Sequence, residues 1–392
     1  MTDIALAELV TEVQSGFASG QRDTEGVIQV RMNNVSTDGA LNLENFIRVP
    51  ATSEVIRKFE LKPGDVLFNS TNSPELVGKA ALFNGAKEPV VFSNHFLRIR
   101  TNPKRLNASF LSRWLNWQWT MRIFEGRCTQ WVNQASIRRE DLLTIKVPLA
   151  DQVEEQKRIA TILDKADAIR RNRQQAIQLA DEFLRSVFLD MFGDPTVNSK
   201  GLPEKPIKDL AYVTTGNTPS RDVSIYYGDF IEWIKSDNIN TPSHYLTKAA
   251  EGLSEEGLRV GRSVPVGSTL ITCIAGSPSC IGNAALADRP VSFNQQINAL
   301  TPKPGIPPEF LYAATLFSKR RIQGASTNSM KGMVSKGALE EVMYIWPSEN
   351  DRDTFVKTFK RVISFQGKLL GSKRNSDELF SSLTQRAFHE GI

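Results

Sequence analysis

No stretch of this 392-residue chain comes near the ~18 uninterrupted apolar residues of a membrane-spanning helix. Cysteine is scarce. Cys128, Cys273 and Cys280 are odd in number and show no CxxC or Cys/His metal spacing, so they read as reduced thiols, with neither a disulfide framework nor a zinc site expected. The three histidines, His95, His244 and His389, have no plausible nucleophile beside them in sequence. There is no GxxxxGK[ST] phosphate loop and no GxGxxG. An Asn/Asp-Pro-Pro-aromatic segment, which amino-methyltransferases use to hold a flipped base, is also missing. The one candidate for a nuclease metal site, Glu60-Leu61-Lys62, lacks an upstream Pro-Asp carboxylate and leads straight into a Pro-Gly turn. No catalytic residue and no metal ligand is expected. MTDIALAELVTEV carries acids where an export signal needs positive charge, so a cytoplasmic location is expected.

What is present is a chain that is 40% hydrophobic and 23% charged, in the range of soluble globular proteins. Its length exceeds one ordinary core and fits two domains of roughly 150 residues plus a connecting element. The net charge of +5 is compatible with a polyanionic partner without requiring one.

The chain is also written twice. Leu6-Ala7-Glu8-Leu9 and Gly16 return as Ile207-Lys208-Asp209-Leu210 and Gly216. Val30-Arg31-Met32-Asn33-Asn34-Val35 returns as Ile234-Lys235-Ser236-Asp237-Asn238-Ile239. Gly78, Asn94, Phe110 and Pro148 return as Gly282, Asn294, Phe310 and Pro347. The matches keep their order, with offsets from 196 (Leu184 to Phe380) to 204 (Val30 to Ile234), so the repeat unit is a whole domain.

A long helical segment follows each matched proline. A 3-4-3-4 spacing through Ile159, Ile162, Ala166, Ile169, Arg173, Ala176, Ala180, Phe183 and Val187 predicts a heptad seam with a polar break at Arg173. The second runs through Phe355, Phe359, Val362, Gln366, Leu369, Lys373, Ser376, Phe380, Leu383 and Ala387. A seam two positions wide wants one partner helix, and the natural partner of each is the other. About 40 residues of helix is roughly 60 Å.

Gly64-Asp65-Val66-Leu67-Phe68-Asn69, then Thr71-Asn72-Ser73-Pro74-Glu75-Leu76-Val77-Gly78-Lys79, resembles the first domain of a specificity (S) subunit of type I restriction–modification enzymes. So do Pro148-Leu149-Ala150 leading into Gln156-Lys157-Arg158-Ile159-Ala160, and Leu184-Arg185-Ser186-Val187-Phe188-Leu189-Asp190-Met191-Phe192-Gly193-Asp194-Pro195. The resemblance implies an α+β chain of two similar target-recognition domains separated by an antiparallel coiled coil of two long helices, a pseudo-two-fold duplication. The expected layout is a first recognition domain over 1–150, helix 151–193, linker 194–205, a second domain over 206–347 and helix 348–392. The family's domains each read one half of a bipartite site in double-stranded DNA. Its helices dock two modification (methyltransferase) subunits, and restriction subunits join to cut. S-adenosylmethionine is then expected on the modification partner and no cofactor in this chain. The rival reading is a coiled-coil scaffold with duplicated protein-interaction domains and no DNA role.

A DNA reader needs amides and cations for base edges, and hydroxyls and further cations for phosphates. In the first half those are Arg31, the loop Asn69, Ser70, Thr71 and Asn72, Lys79, and Arg127, Asn133 and Gln134 around Trp131. In the second half they are Lys235, Ser277, Ser279, Asn328 and Lys331. Helix pairing or partner docking falls to Ile159, Ile162, Ala166, Ile169, Phe183 and Val187 on the first helix, and to Phe355, Phe359, Val362, Leu369, Phe380 and Leu383 on the second.

Overall fold

A computed structural model describes residues 2–132, 134–150, 152–326 and 332–389. The chain divides into two compact units, one of Met1–Arg173 with Lys373–Ile392 and one of Gln174–Ser372.

In the first unit, Val10–Ser15, Phe96–Thr101, Val66–Asn69 and Ala80–Leu82 form an antiparallel sheet in that spatial order. A second sheet runs Ile47–Val49, Val27–Val30, Val90–Phe92, its last pair parallel. The run Val66-Leu67-Phe68 is buried at every position because the strand is covered on both faces. Val66 and Phe68 point into a core with Phe110, Trp114 and Ile99. Leu67, one position out of phase, points into another with Val30, Phe92 and Phe96. A ribbon of Thr2–Ala5 against Lys146–Leu149 joins the ends of the domain.

The second unit repeats the plan. Its sheets run Ala211–Thr215, Ile297–Pro302, Thr269–Thr272, Ala284–Leu286, and Gly252–Leu253, Tyr227–Ile234, Val291–Phe293, Ser263–Val264, with the ribbon Glu204–Pro206 against Met343–Ile345. Gly16 and Gly216 show why the repeat keeps its glycines. Each donates its N–H across the sheet, to Phe96 O and Ile297 O. A Cβ would lie 2.3 Å from Phe92 O in one case and 2.1 Å from Asn294 O in the other.

The interiors differ where the backbones agree. Val66 pairs with Ile99 as Thr269 pairs with Leu300, so Asp65, Arg98 and Arg100 occupy the places of Ser268, Ala299 and Thr301. In the first unit Arg100 grips Asp65 (2.7 Å) and Glu12 (2.9 Å), and buried Arg98 reaches Glu12 at 2.8 Å and Glu60 O at 3.0 Å. In the second a single Ser268–Thr301 hydroxyl contact of 3.0 Å takes their place.

The long helices span Val153–Phe192 and Glu349–His389. Val153–Phe192 contains no Gly or Pro, and Gly193 stops it with φ +75° while donating to Leu189 O. The two run antiparallel. In the second unit Phe188 meets Phe355 edge-on at 5.4 Å, while Gln366 donates to Ile177 O and to Asp181 Oδ1. In the first, the Arg170 guanidinium lies 4.7 Å from the Phe380 ring centroid. The compact units divide inside the helices, because each half-helix is buried in the core of its own unit: Ile159, Ala160, Leu163, Ala387 and Phe388 in one, Leu184, Phe188, Phe355 and Phe359 in the other.

The second seam lies where the spacing puts it: Phe355 and Phe359 are buried, and Val362, Leu369, Phe380 and Leu383 partly so. The first is rotated. Ile159 is buried and Ile162, Ala166 and Val187 partly so, but Ile169 and Phe183 are 48% and 54% exposed. The buried line runs through Ala160, Leu163, Asp167, Ile177, Leu184 and Phe188, one residue later, a turn of about 100°. Counting apolar letters misplaced Ile169 and Phe183 because the true seam includes a carboxylate. Asp167 is 1% exposed and bonds Arg113 and Arg170 at 2.8 Å and Arg171 at 2.5 Å.

Two measurements follow. Phe188→Ala should lower unfolding free energy in urea by about 3–5 kcal/mol, and Phe183→Ala by under about 1 kcal/mol, reversing the order expected from the unrotated seam. Burial opposes the charge of Glu12, but Arg98 and Arg100 outweigh it and hold its pKa below the usual glutamate range. Its contribution is therefore complete above that range and lost as pH falls through the lowered folded value. Thermal melts between about pH 6 and about pH 3 should show the midpoint falling, with a shallower fall in Glu12→Gln.

Candidate nucleic-acid interface

The residues expected around Asn69 and around Trp131, some 60 positions apart in sequence, are brought into one small sheet. Thr129–Trp131 pairs with Gln134–Ser136, and Ser136 and Ala135 pair in turn with Thr71 and Asn72. The sheet is pinned to the end of the Val66–Asn69 strand: Ser70 and Thr71 donate their N–H groups to His95 O, and Ile137 N donates to Ser70 O. Its register separates two faces. Ala135 is fully buried in the core and shares its face with half-buried Asn72 and with Gln130, which is exposed at the sheet's edge. Thr71, Thr129, Trp131, Gln134 and Ser136 share the other face.

The second unit repeats the main-chain bonds at the base of this platform. Cys273 and Ile274 donate to Gln296 O, Val334 N donates to Cys273 O, and Ile274 bridges to Met333. Exposed Ser277 and Ser279 sit beyond it with their hydroxyls 2.8 Å apart, and Lys319 caps Ser279 O at 2.7 Å. Asn133, Asn328 and Lys331 lie outside the described residues.

Several expected contacts are turned inward. Asn69 is fully buried, with neither amide atom hydrogen-bonded. Ser70 is buried and donates to His95 O at 3.1 Å. Lys79 is buried too, its ammonium 2.5 Å from Val35 O, and burial pushes its pKa below the usual lysine range. Of these three side chains only that of Ser70 ties the platform down, and all three are buried. Turn chemistry hid this, because a short polar run reads alike whether it is exposed or ends a buried strand. Arg31 and Lys235 take equivalent places, each donating its main-chain N–H to an asparagine, Asn34 at 2.8 Å and Asn238 at 3.0 Å. Arg31 is half-buried. Lys235 is paired with Glu251 at 2.5 Å and sits 5.3 Å over the Trp233 ring. Arg127 and Gln134 are exposed, and Arg127 has no ion pair among the described residues. Trp131, at 58% exposure, and the hydroxyls of Thr129 and Ser136 complete the outward face. The lone aromatic in a polar run was the one signal of them in the sequence.

A chain of hydrogen bonds in the second unit resembles a catalytic relay. His244 bonds Asp181 through Nε2 and the Tyr312 hydroxyl through Nδ1, each at 2.9 Å. Tyr312 is 1% exposed and burial pushes its pKa far up, so the hydroxyl that would act as nucleophile is inaccessible and firmly protonated. The relay ties the loop carrying His244 to the helix carrying Asp181. Among the described residues no three His, Cys, Asp or Glu side chains are grouped to hold a metal, and no helix is long and apolar enough to cross a membrane.

The family described as "Type I restriction modification DNA specificity domain" matches residues 21–179 and again 200–375. Over 378 residues, 91% of this chain and 85% of the other, the sequence is 22% identical to a Methanocaldococcus jannaschii protein named as the specificity subunit of type I restriction enzyme MjaX. The MjaIX specificity subunit of the same organism is 29% identical over 195 residues, 47% of this chain and 42% of that one. In fold, the S subunit of a type I restriction–modification system from M. genitalium is similar with a TM-score of 0.64 at 14% identity, covering 99% of this chain and 96% of that one.

Stability separates the inward from the outward set. Lys79→Ala should cost about 1–3 kcal/mol by leaving Val35 O unpaired in a cavity. Arg127→Ala should stay within about 0.5 kcal/mol of the unsubstituted protein in the same urea titration.

Proposed function

Because this chain belongs to the family of type I restriction modification DNA specificity domains, we propose that each unit reads one half of an asymmetric, bipartite site in double-stranded DNA. On this reading the two long helices set the number of unread base pairs between the halves and dock two modification (methyltransferase) subunits. The chain itself performs no chemistry. S-adenosylmethionine binds on the modification partner, and a restriction subunit joins the assembly to cut.

The observation that carries this reading is the duplicated platform with unlike side chains. The same main-chain bonds to His95 O and Gln296 O fix Ser70 and Thr71 in one unit and Cys273 and Ile274 in the other, two hydroxyls against a thiol and an alkyl side chain. One backbone device with two chemistries suits two different half-sites, whereas a site of two-fold symmetry would call for two equal readers. Support for the spacing role is the continuity of both helices, each with one part in each compact unit.

The test is a gel shift of the purified chain with its modification partner on duplexes of varied spacer, repeated across salt concentrations. Removing one heptad from each helix shortens it by about 10 Å, so the preferred spacer should drop by roughly three base pairs. An unchanged spacer preference would refute the ruler, and absence of any duplex binding would favour a scaffold without a DNA role. Arg127→Ala should lower the slope of log affinity against log salt by about 1.

A further inference from the structure

A folded chain seldom leaves a tryptophan and a valine side by side at the tip of a projecting hairpin unless a partner covers them. Trp131 is 58% exposed and Val132 is 98% exposed. Trp131 stands directly opposite Gln134, the last pair before the turn, so their Cβ atoms lie roughly 5 Å apart on one face. Thr129, Ser136 and Thr71 continue that face with hydroxyls. Of the four arginines between Thr120 and Arg139, Arg122 pairs with Glu125 at 2.7 Å and Arg138 with Asp141 at 2.9 Å, which leaves Arg127 and Arg139 without an ion pair among the described residues. Such a surface is complementary to a polyanion.

Shape narrows the choice. A two-stranded ribbon fits the major groove, which is about 12 Å wide, and is too broad for a minor groove of about 6 Å. In the major groove an amide side chain can bond both N7 and N6 of adenine, while an apolar side chain can cover the 5-methyl group of thymine. Adenine and thymine present those features on one major-groove edge of a single base pair, the methyl group lying beyond thymine O4. We propose that the paired strands Thr129–Trp131 and Gln134–Ser136 enter the major groove of their half-site and that Gln134 and Trp131 together read an A·T pair. Gln134 bonds the adenine edge and the Trp131 indole packs on the thymine methyl. Val132 at the tip contacts the neighbouring base edge or sugar, and Arg127 holds a flanking phosphate. This rests on the reading of the chain as a DNA-specificity subunit and goes beyond it by naming one base pair and the two side chains that read it.

The experiment uses the full chain with its modification partner. A preferred duplex is first selected from a random pool. Each A·T pair of the selected site is then altered singly, by thymine to uracil, which removes the methyl group, or by adenine to 7-deazaadenine, which removes N7. At one A·T pair the unsubstituted protein should lose affinity with both analogues. Trp131→Ala should bind the selected duplex roughly tenfold more weakly and become indifferent to uracil at that pair while still sensing 7-deazaadenine. Gln134→Ala should show the reverse, with preference for A·T over G·C there reduced roughly 5- to 100-fold. Both positions are exposed, so the variants should melt with the unsubstituted protein.

If no duplex is selected, the DNA-reading function itself fails. If a duplex is selected but no A·T pair shows the paired loss, or either variant keeps full sensitivity to both analogues, this assignment is overturned while that function stands. If Trp131→Ala leaves DNA affinity unchanged and instead prevents assembly with the modification subunit, the hairpin tip is a protein contact and the assignment is equally overturned.

Discussion

Everything in this molecule leans on how a long, narrow helical seam gets buried. Two apolar positions per heptad cannot cover a domain face alone, so each half-helix joins a core that already contains the other helix and the sheet-packing helix of its unit. Phe188 and Phe192 sit among Phe310, Phe317 and Phe355. Ile159 and Leu163 share a core with Phe110, Leu115 and Phe388. Neither helix is then an appendage. Its orientation is set by the same aromatic packing that holds the sheets, and so is the aim of whatever the domain presents at the far ends of its strands.

Polar groups refine that burial. Asp167 among Arg113, Arg170 and Arg171, and Asp181 between Gln366 and His244, are directional contacts inside an otherwise greasy seam. Such groups add little net energy over well-packed hydrophobes, but removing a partner of Asp167, 1% exposed, strands a buried charge. They penalise slippage by a heptad, which aromatic packing alone tolerates more readily.

Duplication shows which features the fold demands and which are free to vary. Gly16 and Gly216, and the N–H pairs bonded to His95 O and Gln296 O, recur because strand geometry leaves no alternative. The Arg98–Arg100–Glu12–Asp65 cluster and the Ser268–Thr301 contact share a location with nothing in common chemically, so the strand pairing there is kept without specifying side-chain size or charge.

The repeat, the helix–proline junctions, both helices and the second seam are legible in the linear chain, because they rest on local periodicity and on glycine and proline signals that act within a few residues. So are the polar clusters from which a surface could be built. Which of those residues face out is set by folding. Asn69 ends a strand covered on both faces and Lys79 reaches Val35 O, so both are buried. The pairing of Ala135–Ser136 with Thr71–Asn72 puts Trp131 and Gln134 on the face opposite buried Ala135, and no local signal encodes a register across so many intervening residues. Folding likewise turned the first helix by one residue, since the partners that make Asp167 welcome in a core, above all Arg113, come from elsewhere in the chain.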